Sequence, residues 1–110
     1  MKVQELKDIL VGKGFDEEKL DTGYNYRKVI DHIELVCYIE PQIDIAFISL
    51  YKWNNNEVKG VYKASLIELS RVEKSVQTFF EKTLDDMPLY IGSKINLHSE
   101  VKAAIDSTFQ

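Results

Sequence analysis

The chain is poor in the residues that most often carry chemistry. It has one cysteine, two histidines and one tryptophan among 110 residues. One cysteine excludes a disulfide within the chain and favours a reducing compartment, so we expect a cytoplasmic location. The first residues form no long apolar run, so we expect neither a secretion signal nor a membrane span.

Net charge bears on the kind of partner, and chain length on the number of domains. The formal net charge is −4, from 14 basic and 18 acidic residues. Dedicated nucleic-acid binders usually carry a basic excess, so a nucleic-acid partner is the less favoured expectation. The length predicts a single domain, residues 1–110, whose core needs no disulfide or metal to hold it.

Residues 28–66 indicate three consecutive β-strands. In the first, alternation places Ile33, Leu35, Cys37 and Ile39 on one face, and this set predicts the core side with Cys37 buried. The other face of that strand carries His32, Glu34, Val36, Tyr38 and Glu40. A tight connection at Glu40-Pro41-Gln42 leads to a second strand over residues 43–53.

The turn after the second strand predicts the pairing with the third. Asparagine tolerates the positive φ of a type I′ turn, so a two-residue loop is expected at Asn54-Asn55. That loop pairs Phe47 with Tyr62 on the core face and Leu50 with Lys59 on the outer face. A three-residue loop would pair Phe47 with Lys63. Matched apolar and opposite-charge pairs favour the first register.

Helices are expected on both sides of these strands. Val3, Leu6, Ile9 and Leu10 predict a first helix that ends at Gly12 or Gly14, and residues 15–26 follow as a polar loop. Ser65 and Glu68 form a capping-box pattern that predicts a helix from Ser65 to Asp85-Asp86, before Pro88.

The last helix is predicted from Leu97, Val101, Ala104, Ile105 and Phe109, with Asn96 or Ser99 as its cap. The expected fold is therefore α+β, a three-stranded antiparallel sheet flanked by helices in the order α-β-β-β-α-α.

Three short patterns resemble catalytic motifs but lack the required context. Asp21-Thr22-Gly23 matches the aspartic-protease tripeptide, but no buried apolar strand precedes it, so a turn is expected. His32, His98 and Cys37 have no metal-ligand spacing. Gly12-Lys13-Gly14 is too short for a phosphate loop. We expect no catalytic residue, metal or cofactor, and the chain is not predicted to be an enzyme.

The outer sheet face is the predicted binding surface. Apolar residues with a charged rim are typical of an interface. Its predicted partner-binding residues are Tyr38, Ile48, Leu50, Val61, Lys52, Lys59 and Lys63, grouped with Val36 and Ala46. Two alternatives remain open: a terminal helix covers this face, or an edge strand pairs with a second copy in a homodimer.

The predicted element order is similar to that of double-stranded-RNA-binding domains, over roughly residues 2–84. Those domains carry lysines where the second helix begins, whereas this chain has Leu66-Ile67-Glu68-Leu69. Secretion chaperones and small inhibitor proteins share the order. We expect a non-enzymatic protein-binding protein, an inhibitor or immunity protein against a toxin or defence nuclease of bacterial or phage origin. The alternatives are a nucleic-acid-binding module or a secretion-chaperone-like protein.

Overall fold

The computed structural model describes residues 2–63, 67–68, 76–86 and 94–110; at 59–63, 67–68, 86 and 94–96 it describes the backbone alone. This part of the chain is α+β. Its helices are α1 (Val3–Gly12), α2 (Val76–Asp86) and α3 (Lys94–Phe109), with a 3₁₀ turn at Pro41–Ile43. Its strands are β1 (Asp16–Lys19), β2 (Tyr24–Ile30), β3 (Ile33–Glu40), β4 (Ile45–Asn54), β5 (Glu57–Lys63) and β6 (Ile67–Glu68).

The described strands form one antiparallel sheet in the order β1-β2-β3-β4-β5, with β6 paired to the start of β4. Each neighbour in this order is also the next strand along the chain, so short turns connect all five. The β2–β3 turn places Asp31 at φ 53° and the β4–β5 turn places Asn55 at φ 57°. Aspartate and asparagine tolerate this left-handed geometry better than most residues.

The first helix ends as its glycines predict. Gly14 has φ 88°, its N–H donates to the carbonyl of Val11, and the N–H of Phe15 donates to the carbonyl of Leu10. These two bonds form a Schellman motif, which satisfies carbonyls that the helix end would otherwise leave unpaired. The motif turns the chain so that Phe15 joins Leu10 in the core.

The pairing of β3 with β4 decides which side chains are buried. Leu35 lies opposite Leu50, Cys37 opposite Ile48, and Ile39 opposite Ala46. All six are fully buried. The aliphatic side chains of the two central strands therefore share one face of the sheet, which we call the covered face.

The helices pack on the covered face. Their buried residues join its side chains and Tyr26 of β2 in one cluster. Aromatic contacts tie the cluster together: Phe15 lies 5.7 Å from Phe80 and 6.2 Å from Phe109, between ring centroids. Among the described helices, none is both long enough and apolar enough to cross a membrane.

The architecture differs from the predicted one in strand number. Residues 15–26 were predicted to be a polar loop, but they contribute β1 and the start of β2. A charged sequence such as that of β1 fits an edge strand, because one side of the strand needs no partner and its side chains lie in solvent. The predicted three-stranded sheet is therefore too small.

The helix start predicted from the capping-box pattern was also wrong. Ile67 and Glu68 pair with Ala46 and Ile45 as β6, so the helix does not begin at Ser65, which itself lies outside the described residues. Sheet pairing outweighs the local helix signal here. Helix α2 runs to Asp86, and Met87 and Pro88, on which its predicted end depends, lie outside the described residues. The last helix begins at Lys94, so Asn96 and Ser99 lie inside it and do not cap it.

The β4–β5 hairpin has neither predicted register. Asn54 pairs with Glu57 around an Asn55-Asn56 turn, and the register then shifts because Trp53 pairs with Val58 but Lys52 pairs with Gly60. Lys59 is the extra residue of this β-bulge. Gly60 beside it is typical of bulges, where the chain twists sharply.

We expect two substitutions on β4 to have opposite consequences. Leu50→Asp puts an unpaired charge into the core and should cost more than about 4 kcal/mol, enough to unfold the domain. Phe47→Asp, three residues away on the other face, should cost about 1 kcal/mol from the lost ring contact. Urea denaturation of both variants measures the difference. Similar losses in the two variants would contradict the register.

We expect Cys37 to react slowly with thiol reagents in the native state. It is fully buried, and burial raises the pKa of its thiol to about 12. The reactive thiolate is therefore scarce at pH 8, and the rate of labelling is limited by how often the domain opens and exposes the thiol. Absorbance with a disulfide reagent, with and without denaturant, measures the rate. Labelling at the rate of the unfolded chain would show that the thiol is accessible.

Candidate interaction surface

The face of the sheet opposite the helices carries four aromatic side chains. Tyr38 lies on β3, and Phe47, Tyr51 and Trp53 lie on β4; all four are partly exposed. We call this surface the aromatic face. Tyr38 and Phe47 are direct cross-strand neighbours whose ring centroids are 5.1 Å apart, and Tyr51 and Trp53 are 6.5 Å apart. The rings thus form two contacting pairs on one side of the sheet.

A carboxylate lies on the aromatic face at the end of β3 that follows the β2–β3 turn. Glu34 is only 6 % exposed, although it is directed away from the core. Arg27 Nε approaches its Oε2 at 2.7 Å, and the indole N–H of Trp53 donates to its Oε1 at 3.1 Å. A buried carboxylate needs such partners to offset the loss of water. These contacts hold Trp53 and Arg27 in fixed positions across β2, β3 and β4.

A second polar cluster lies at the other end of β3. The phenol of Tyr38 donates a short hydrogen bond to Glu40 Oε1, and the hydroxyl of Thr22 donates to the same oxygen at 3.4 Å. The bond to Glu40 raises the pKa of the Tyr38 phenol, because the phenolate would lie beside a carboxylate.

The turn that supplies Thr22 packs closely against β3. A Cβ at Gly23 would lie 2.3 Å from the carbonyl oxygen of Ile39, so only glycine fits there. The N–H of Leu20 donates to the Gly23 carbonyl at 2.8 Å, which closes the β1–β2 turn around Asp21. The prediction that Asp21-Thr22-Gly23 is a turn is confirmed.

The predicted outer face had the wrong members. Tyr38 does lie opposite the helices, but Ile48 and Leu50 lie on the covered face with no exposed area. The cause is the β3–β4 connection. The 3₁₀ turn, with Asp44 at φ 54°, pairs Glu40 with Ile45, and every second residue from Ala46 onward then faces the helices. Ala46 belongs to the core for the same reason.

Of the three lysines in the predicted rim, only Lys52 has a described side chain, and it is not part of that rim. Lys52 pairs with Ile33, and its ammonium lies 2.5 Å from Glu100 of α3, so it links the sheet to a helix and is not on the aromatic face. The backbone places Val61 opposite Tyr51, Lys63 opposite Ser49, and Lys59 at the bulge. The side chains of these three residues lie outside the description.

Sequence reasoning missed Phe47, Tyr51 and Trp53, although a signal was present. Along β4 the even-numbered residues Ala46, Ile48 and Leu50 are purely aliphatic, whereas the odd-numbered ones include Ser49, Tyr51 and Trp53. Tyrosine, tryptophan and serine have polar groups that suit a half-exposed face. Matching the aliphatic set to the aliphatic set of β3 would have given the observed register.

A separate groove of about 570 Å³ lies where α3 crosses the β2–β3 turn. Its polar lining includes Asp31, His32 and Ser107, with the Lys52–Glu100 ion pair. His32 forms no hydrogen bond with Asp31 or Ser107, so these three side chains are not arranged as an activated nucleophile. Among the described residues, no group of three His, Cys, Asp or Glu side chains could hold a metal ion.

We expect Arg27 to stabilise the fold through Glu34. Arg27→Met removes the cation beside a nearly buried carboxylate and should lower the free energy of unfolding by about 1–2 kcal/mol. The loss is smaller than for a fully buried ion pair because Arg27 is itself half exposed. In a Glu34→Gln background the same substitution should cost much less. Lys19→Met, on the exposed edge strand, is the control. Equal costs of Arg27→Met in both backgrounds, from denaturation midpoints, would show that the two residues are not coupled.

Comparison with protein-family models finds no match, and comparisons with curated proteins and with solved structures find none either.

Proposed function

We propose that this protein works by binding another protein through the aromatic face, as an inhibitor or immunity-type protein. Its target would be a toxin or defence nuclease in a bacterial or phage system, met in the cytoplasm. The observation that carries the proposal is the placement of Tyr38, Phe47, Tyr51 and Trp53, partly exposed, on the sheet face away from the helices.

Aromatic side chains are the ones that most often dominate binding at protein interfaces. Tyrosine and tryptophan bury a large area and still offer a hydrogen-bonding group, and they lose little rotamer entropy. An ordinary solvent-facing sheet surface alternates core residues with polar ones. Here the outward positions of β4 carry three aromatic rings, and Val29, 55 % exposed, extends the apolar area onto β2. That composition supports a docking surface.

The rings are held in place before any partner arrives. Trp53 is fixed by its hydrogen bond to Glu34, Tyr38 by its bond to Glu40, and Phe47 by contact with Tyr38. Binding then costs less side-chain entropy than it would with freely rotating anchors. A strand of the sheet is also a rigid support, so the relative positions of the four rings are set by the β3–β4 register.

The predicted nucleic-acid alternative loses one of the three lysines on which it relied. It relied on Lys52, Lys59 and Lys63 beside Tyr38, but Lys52 lies on the covered face and is paired with Glu100. The described part of the aromatic face holds Asp16, Glu18, Glu34 and Glu40 against the single cation Arg27. Phosphate binding requires the opposite balance.

A photocrosslinking experiment tests the proposal. The photoreactive residue p-benzoylphenylalanine replaces Phe47 in one variant and Val11 in the other; Val11 is 51 % exposed on α1. After irradiation in native host cells, we expect a discrete heavier product from position 47 and none from position 11. Tyr51→Asp, which places a charge on the aromatic face, should abolish that product because a central apolar contact is lost.

Two results would refute the proposal. Equal products from positions 47 and 11 would show that contact is not specific to the aromatic face. A position-47 product that survives Tyr51→Asp unchanged would show that the rings do not carry the binding. A thermal melt of each variant confirms that it is folded.

A further inference from the structure

We infer that the partner surface that docks on the aromatic face is basic and contributes arginine side chains to the end of the face formed by Glu18, Tyr38, Glu40 and Phe47. This inference rests on the proposed function and specifies the partner's chemistry. It begins from one row of the sheet, in which Glu18, Asn25, Tyr38 and Phe47 are successive cross-strand neighbours.

The charges of this end are carboxylates in need of cations. Glu34, at the opposite end of β3, is already paired with Arg27, and Asp16 lies directly opposite Arg27. Glu18 and Glu40 lie farther from that guanidinium along the strands. Both hydrogen bonds to Glu40 from Tyr38 and Thr22 use Oε1, which leaves Oε2 for a further donor. An incoming cation therefore finds two carboxylates at this end.

The neighbouring rings favour arginine over lysine. A guanidinium can stack on an aromatic ring and donate two parallel hydrogen bonds to a carboxylate, whereas an ammonium is a strongly hydrated point charge. Tyr38 and Phe47 are partly exposed beside Glu40. Glu18 is two strands away from β3, which carries Glu40, so the two carboxylates lie at least about 10 Å apart at the usual strand spacing. Two arginines at that separation would satisfy both carboxylates.

The same charges disfavour the other occupants. A two-fold symmetric pair of this chain would place the face against itself, so that carboxylates would meet carboxylates. A nucleic acid would bring phosphates to the same groups. A basic protein surface, such as one that itself binds nucleic acid, has complementary charge. That chemistry agrees with a nuclease as the target.

A nona-arginine peptide is the probe for this inference, with binding measured by fluorescence anisotropy. The test variant is Glu18→Gln with Glu40→Gln, in which the amide can still accept the Tyr38 bond. The matched control is Glu5→Gln with Asp8→Asn, which removes the same charge from the exposed side of α1. We expect the test variant to lose about tenfold in affinity, as one charge-assisted contact would give, and the control to lose less than about twofold.

A second comparison isolates the rings. Wild type should bind nona-arginine more tightly than nona-lysine, although the two peptides carry equal charge, and Phe47→Leu should remove that preference. Simple attraction between net charges predicts no preference and equal losses in the test and control variants. Either of those results would overturn the inference.

The remaining arms separate the other occupants. Tighter binding of a twenty-nucleotide oligothymidylate than of nona-arginine, or a wild-type dimer by light scattering that Phe47→Asp dissociates, would overturn it in favour of a nucleic acid or a second copy. The crosslinks from position 47 are independent of these peptides. If they remain specific while the peptide results fail, only the basic character of the partner is refuted and the proposed protein-binding function stands.

Discussion

The pairing of β3 with β4 is the constraint on which the rest of the structure depends. These are the two longest strands in the described part of the chain, and each has one aliphatic set of alternate residues. When Leu35 lies opposite Leu50 and Cys37 opposite Ile48, the two sets form one continuous apolar surface for the helices. A shift of one residue would turn Phe47, Ser49 and Tyr51 toward the helices and move Ile48 and Leu50 to the opposite face. The core and the aromatic face are therefore two results of one register.

Much of the fold could be predicted from short-range patterns in the sequence. The core face of β3, the first helix with its glycine end and the turn around Asp21 each depend on residues close together in the chain. Register could not be predicted in this way. It depends on a 3₁₀ turn at Pro41 with a left-handed Asp44, and on a bulge at Lys59, both of which change the pairing by single residues.

The two elements that were predicted wrongly show where tertiary structure outweighs local preference. β1 consists of four charged residues that would not form a strand alone, and its pairing with β2 supplies the stability. The hydroxyl of Tyr26 on β2 also donates a hydrogen bond to Glu17 of β1 at 2.5 Å. β6 carries a helix-start pattern, yet its backbone completes the pairing of Ala46 and Ile45. In both places an unpaired neighbouring strand offers hydrogen bonds that a local helix or loop cannot match.

The two ends of the aromatic face differ in charge. At one end of the face, Glu34 is paired with Arg27 and accepts a hydrogen bond from Trp53, so this carboxylate already has its partners and holds both side chains in place. Glu18 and Glu40 leave the other end acidic. A partner with an apolar patch beside a basic one can then dock in only one orientation, because reversing it would place cations against Arg27 and apolar groups against carboxylates. In the proposed complex, the rings beside the Arg27–Glu34 ion pair would supply affinity, and the end with Glu18 and Glu40 would select the partner by charge.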